Sequence, residues 1–214
     1  MNAAVGDSDN REHYLRLSET VPGWTRGCEA RELWRVCYSL PLGATIVEIG
    51  SFLGSGTILL AGACRTRGSG LVHCVDPFDG RGDSFSVPYY QTILAELGTG
   101  SLRTQFESNV RECGLAPWVR IHSGPAQHVG RSWTTPIDLI FFDGDQSPAG
   151  VRMAYGVWIP FLKIGGVIAL HNSDPVNRRP DHDGHRLIVE QEIRQPAFHD
   201  VRLVTSTTFA VKTL

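Results

Sequence analysis

Five apolar runs divide the chain, and a stretch of helical spacing follows most of them. They are "ATIVEIG" (44–50), "GLVHCVD" (70–76), "WVRIHSG" (118–124), "PIDLIFFD" (136–143) and "GGVIALH" (165–171). Their apolar residues run together rather than alternating, as in strands buried on both faces. Helical patterns are predicted over 55–66, 89–97, 101–113, 151–162 and 185–194. Two more precede the first strand, at 11–20 and 28–39, the second carrying Leu33, Trp34, Val36, Cys37 and Leu40 at helical spacings. The closing "DVRLVTSTTFAVKTL" reads as two strands, too close together for a crossover helix, and so as an antiparallel edge pair. The pattern predicts an α/β fold: a mostly parallel sheet with helices on both faces. The first ten residues are polar and expected to be disordered. Residues 1–40 are read as a helical appendage to a single domain, 41–214.

Two polar stretches broken by Pro and Gly, 77–88 and 172–185, read as long surface loops of the kind that carries function. At 214 residues the chain is long enough for one sizeable core. A net charge of −2 gives no electrostatic case for nucleic acid or an anionic membrane. No apolar run reaches membrane-spanning length, and the start lacks a basic-then-apolar leader, so a cytoplasmic protein is expected. The five cysteines, Cys28, Cys37, Cys64, Cys74 and Cys113, match no zinc spacing and are expected to be reduced.

Candidate chemistry gathers where strands end. "VEIGSFLGSG" places Glu48 and the glycines Gly50, Gly54 and Gly56 at the first strand-to-helix turn, where a glycine-rich backbone can approach a ligand. A phosphate loop would need a lysine after the glycines, and Gly54-Ser55-Gly56-Thr57 has none. A dinucleotide fingerprint is also a poor fit: the glycines run G-x-x-x-G-x-G, and Glu48 would repel a pyrophosphate. The same anion would attract an amine. Asp76, closing the second strand, stands where a carboxylate accepts ribose hydroxyls. One carboxylate for an amine and one for a ribose describe a nucleoside carrying an amino acid, as in S-adenosylmethionine.

On these motifs the chain resembles the class I S-adenosylmethionine-dependent methyltransferases over residues 40–214. "VEIGSFLGSG" resembles their first motif, "CVDPF" the acidic end of strand two, and "SGPAQ" the turn over the adenine. "DLIFFDGD" and "LKIGGVIALHN" resemble strands four and five. The resemblance implies a Rossmann-like seven-stranded sheet with an antiparallel strand seven. It carries cofactor contacts onto Glu48, Gly50, Ser51, Gly54 and Ser55, and onto Asp76, Gly124, Ala126, Gln127 and Asp143. The stretch from Phe141 to Asn172 and the acidic "VDPFDGRGDSF" are similar to bacterial sugar O-methyltransferases, the macrolide-sugar and cephalosporin-methoxylation group. The mycobacterial methyltransferase of methylmannose polysaccharides is a further candidate. The implied function is methyl transfer from S-adenosylmethionine to a hydroxyl of a saccharide or sugar-bearing small molecule, helped by a divalent cation, magnesium being expected. The alternatives are a phenolic acceptor, or cofactor binding without turnover.

Metal-dependent relatives hold magnesium with a carboxylate after strand four and an adjacent pair after strand five. Position by position these are Asp143, His171 and Asn172. Histidine in the second place is a departure, because imidazole suits magnesium less than it suits zinc, iron or manganese. Gln146 is another, standing where sugar-modifying relatives place a basic histidine and catechol-type relatives a lysine. A glutamine can orient a hydroxyl but not deprotonate it. His171 is therefore the expected base, with Asp145 second, while His182 and His185 are expected at the surface. A homodimer is the prior for assembly.

Overall fold

The structure is a computed structural model that describes residues 3–98 and 100–214. One seven-stranded sheet forms the middle layer: β1 (Thr45–Ile49), β2 (Leu71–Asp76), β3 (Val119–Ser123), β4 (Ile137–Phe142), β5 (Leu162–Leu170), β6 (Phe198–Val204) and β7 (Thr207–Lys212). Their order is β3-β2-β1-β4-β5-β7-β6. The first five pair in parallel, and β7 runs antiparallel between β5 and β6. This is the Rossmann-like class I methyltransferase arrangement.

Among the described residues eight α-helices cover the sheet: α1 (Ala3–Glu19), α2 (Gly27–Ser39), α3 (Ser55–Arg67), α4 (Val87–Leu97), α5 (Leu102–Glu112), α6 (Ala126–Arg131), α7 (Pro148–Trp158) and α8 (Gly184–Glu192). Alternation along the strands divides the core in two. Phe141 joins Leu33, Ile46, Leu59, Val72 and Phe106 on one face. Phe142 joins Val47, Val75, Ile140, Tyr155 and Trp158 on the other. Helix starts follow local chemistry: Ser101 and Thr104 form a reciprocal capping box on α5, and Ser147 caps α7 with Pro148 behind it. α7 stops earlier than its apolar pattern, at Trp158. Pro160 then has no N–H to continue the ladder, and a short 3-10 turn over 159–161 leads into β5.

Residues 3–10, expected to be disordered, instead continue α1; residues 1–2 lie outside the described residues. Polarity alone did not preclude a helix whose inner end is held by packing. Tyr14 is buried against α3, where a side chain at Gly62 would come within 2.4 Å of its ring. Ser18 Oγ donates to the Ser55 carbonyl at 2.9 Å. α1 and α2 thus complete the layer that covers the first face. No described helix is long and apolar enough to cross a membrane. The described cysteines are all free, and Cys37, Cys64 and Cys74 are buried.

Candidate active site

The parallel ladder continues past the strand ends. Gly50 N–H donates to the Val75 carbonyl (2.9 Å), Asp143 N–H to Ile49 (2.8 Å) and His171 N–H to Phe142 (3.0 Å). These bonds align the ends of β1, β4 and β5 along one edge. The chain leaves β1 toward β2 and returns on the other side as β4, so a crevice opens at this switch point. Gly50 makes the crevice possible. It sits at φ +86°, and a Cβ there would lie 2.3 Å from Gly144 Cα. Gly50→Ala should destabilise the protein by about 2 kcal/mol and distort the β1 and β4 ends together. A denaturant melt checks this; an unchanged midpoint would contradict the close approach.

Glu48 lies on the crevice wall, 1% exposed. Its Oε2 accepts Ser51 Oγ at 2.8 Å and the Thr57 hydroxyl. Oε1 faces the close packing at Gly56, where a Cβ would meet it at 2.5 Å. Burial pushes its pKa up to about 7, against the two hydroxyl bonds and with help from the charge of Asp143. A buried carboxyl poised near neutrality suits a cationic ligand that would draw out its ionised form. Asp76 also lines the crevice. Its Oδ2 accepts the N–H groups of Ser51 (2.9 Å) and Phe52 (2.8 Å), and its Oδ1 that of Phe78 (2.6 Å). Three backbone bonds fix the carboxylate and leave acceptor capacity chiefly on Oδ1.

The other predicted cofactor residues divide. Ser51, Ala126, Gln127 and Asp143 line the crevice, as does Gly56. Ser55 lines it too, but its hydroxyl is bonded to Ser18 and Arg26. Gly54 and Gly124 are outside the lining and act on the backbone instead. Gly54 precedes α3 at φ +98° over Phe106, and Gly124 turns the chain at φ +149° after β3. The buried carboxyl beside a close-packed glycine, the second strand-end carboxylate and Gln127 together fit an amino-acid nucleoside.

The expected metal set is arranged differently. His171 is 2% exposed and lies behind the crevice wall. Its Nδ1 meets Asp143 Oδ1 at 2.6 Å, and its Nε2 faces Glu29 Oε1 of α2 at 3.4 Å. Burial would lower its pKa, but the charge and hydrogen bond of Asp143, joined by Glu29, outweigh this and hold it at about 10. Glu29 is itself buried. Its Oε2 accepts Ser206 Oγ (2.7 Å) and Thr207 Oγ1 (3.0 Å), and with His171 these bonds hold its pKa below the usual value despite burial. Asn172, at φ +51°, gives its carbonyl to Asn177 Nδ2 and does not line the crevice. Among the described residues no three His, Cys, Asp or Glu side chains are grouped to hold an ion. The set Asp143, His171 and Asn172 therefore does not fit a divalent cation as it stands. Both imidazole nitrogens face carboxylates, and neither His171 nor Asn172 lines the crevice.

The expected bases shift for the same reason. His171 carries its proton already and does not reach the crevice. Gln146 is 5% exposed, outside the lining, and its Oε1 has no hydrogen-bond partner, so it does not orient an acceptor there. Asp145 does line the crevice, exposed, with Oδ1 accepting Ser147 N–H at 2.9 Å. His182 and His185 are buried rather than superficial. His182 Nδ1 pairs with Asp83 Oδ1 at 2.8 Å, joining the two long loops. His185 Nδ1 donates to the His171 carbonyl at 2.7 Å, and burial lowers its pKa to about 3, so the ring is neutral.

Three site features were not anticipated. Glu29 is one; its signal was a carboxylate at the i−4 position from Leu33 on the apolar face of α2. The second is Trp24, in the linker between α1 and α2, which lines the crevice. The third is Phe52 alone, whose ring centroid lies 4.9 Å from that of Tyr90 in α4.

Known proteins agree with this geometry. Residues 47–173 match the family described as "Methyltransferase domain". A Klebsiella pneumoniae protein provisionally described as an O-methyltransferase superposes with a TM-score of 0.62 at 16% identity, over 96% of this chain and 90% of that one. TomG, an O-methyltransferase of Streptomyces achromogenes involved in tomaymycin synthesis and solved with S-adenosylmethionine, gives 0.59 at 20% identity, over 87% and 80%. CalS11, a TDP-rhamnose 3'-O-methyltransferase of calicheamicin biosynthesis, gives 0.56 at 15%, over 85% and 76%. These matches show the fold, and none of them points to the mycobacterial polysaccharide enzyme in particular. The match over more than half of the chain, on a sheet of this order, makes the protein a member of the methyltransferase-domain family and an S-adenosylmethionine-dependent methyltransferase of class I.

Proposed function

We propose that the protein transfers the methyl group of S-adenosylmethionine to a hydroxyl of a saccharide or a sugar-bearing small molecule, with no resident metal ion. The observation that carries this reading is Asp143 at the switch point, open to the crevice on one side and bonded to a buried imidazolium on the other. The cofactor supplies a methyl group already activated by the sulfonium charge. Glu48 would receive its ammonium group, Asp76 a ribose hydroxyl and Gln127 the base. Asp143 Oδ1 is taken by His171. Its Oδ2 is free to accept the hydrogen of the acceptor hydroxyl, align the oxygen and take the proton as the methyl transfers. Asp145 supports it from the same wall.

His171 acts here as a fixed internal cation beside Asp143, where metal-dependent relatives place an ion. The likeness to TomG and to a sugar methyltransferase supports an oxygen acceptor. The test is labelled-methyl transfer over oligosaccharides, glycosylated small molecules and phenols, with and without chelator. Activity should survive chelation, and Asp143→Ala should lower it by about a hundredfold or more. Activity that vanishes with chelator, or an unimpaired Asp143→Ala, would contradict the reading.

A further inference from the structure

Four aromatic rings from three separate segments meet at the crevice, and three of them, Trp24, Phe52 and Tyr90, line it. Trp24 comes from the α1–α2 linker, Phe52 from the β1–α3 turn, and Tyr89 and Tyr90 from α4. Centroid distances are 5.1 Å for Trp24–Tyr89, 5.8 Å for Trp24–Phe52, 6.0 Å for Trp24–Tyr90 and 4.9 Å for Phe52–Tyr90. The group is not an ordinary piece of core, since Trp24 is 41% and Tyr89 39% exposed. Phe52 sits at φ +45°, a conformation disfavoured for a bulky side chain, and is held there by its N–H bond to Asp76. The linker reaches this place because Gly23 packs on Ser55, where a Cβ would come within 2.6 Å of the serine Cβ. Tyr90 ties the cluster to the chemistry. Burial raises its phenol pKa, and the charge of Asp143 raises it further.

Charge narrows what such a surface can receive. Glu48, Asp76, Asp79, Asp143 and Asp145 line the crevice, and among the described lining residues Arg81 is the one cationic side chain. With Glu48 and Asp76 taken by the cofactor, Asp79, Asp143 and Asp145 remain beside the single Arg81 side chain, so a ring carrying phosphate would meet net repulsion.

We infer that Trp24, Phe52, Tyr89 and Tyr90 form the acceptor seat, and that it takes an uncharged ring bearing a free hydroxyl rather than a nucleotide-activated or otherwise phosphorylated sugar. The ring stacks on the exposed indole and presents its hydroxyl toward Asp143. The inference rests on the proposed function and refines its acceptor class. A phenol and a glycoside share the required chemistry, a flat apolar face with hydroxyls at its edge.

The experiment is calorimetric titration of protein saturated with S-adenosylhomocysteine, using phenyl β-glucoside, phenol, methyl β-glucoside and TDP-glucose as probes. Phenyl β-glucoside should bind, and TDP-glucose should bind at least tenfold more weakly. Phenol and methyl β-glucoside separate the aromatic from the sugar contribution. Trp24→Ala and Tyr89→Ala should each weaken phenyl β-glucoside about tenfold, with Trp24→Phe restoring most of it. Thermal melts establish that the variants are folded. Tighter binding of TDP-glucose, no binding of any uncharged probe, or unchanged affinity in both alanine variants would overturn the seat. The saturation step is read separately: failure of S-adenosylhomocysteine to bind would instead remove the proposed cofactor.

Discussion

Glu29→Ala should be the most destabilising single substitution outside the apolar core. It leaves the imidazolium of His171 buried with one of its two carboxylates missing and strips a shared acceptor from Ser206 and Thr207. Removing one partner of a buried ion pair costs about 3–5 kcal/mol, so the melting temperature should fall by roughly 10 °C for a chain of this size. The effect should depend on pH with a definite sign. His171 has its pKa raised from 6.5 to about 10. Its stabilisation is complete below 6.5 and is lost as pH rises through 10. The deficit of Glu29→Ala should therefore shrink at alkaline pH, as read by melts between pH 6 and 10. A deficit that stays constant over that range would mean that Glu29 acts by packing alone.

The largest effect on binding is expected at Glu48. A buried carboxylate that meets an ammonium group contributes enough that its removal costs about 2–5 kcal/mol, so Glu48→Gln should weaken S-adenosylmethionine by about a hundredfold. The same change should stabilise the free protein. The carboxyl has its folded pKa raised from 4.5 to about 7, so its favourable contribution is present below 4.5 and is lost as pH rises through 7. An amide of the same shape never has to ionise there. In the wild type, affinity should fall about tenfold per pH unit below 7, because binding must first remove a proton. Above about 8 it should fall again as the ligand amine loses its charge. Calorimetry in buffers of different ionisation enthalpy would detect the released proton at pH 6. No proton release, together with unaltered affinity in Glu48→Gln, would place the ammonium elsewhere.

Much of the fold could be read from continuous apolar strands, because a strand buried on both faces leaves a strong mark in sequence. The strand-end carboxylates Glu48, Asp76 and Asp143 were legible for a related reason: a charged residue that interrupts such a run has few other places to go. α6 escaped notice, since six residues carry too little periodicity. What could not be read was pairing across the chain. His171 looked like a ligand or a base because its sequence neighbours said nothing of Glu29, 142 positions away. That carboxylate changes the chemistry of the ring, from one that takes a proton to one that holds it. His182 and His185 looked superficial in a polar loop, yet Asp83 and the His171 carbonyl draw them inside. Gln146 departed from the expected base, and its buried side chain does not line the crevice.

The N-terminal helices illustrate the same point at larger scale. As a sequence they look like an addition to the catalytic domain. In the structure α2 supplies Glu29 to the His171 pair, and the linker before it supplies Trp24 to the crevice.

The most direct test of the account is calorimetric titration of S-adenosylmethionine into the protein in chelator-containing buffer at pH 7.5, repeated with Glu48→Gln and with a nicotinamide dinucleotide. One binding site per chain is predicted, undiminished by the chelator, weakened about a hundredfold in the variant, and closed to the dinucleotide. Binding that requires added magnesium, or binding of the dinucleotide alone, would contradict it.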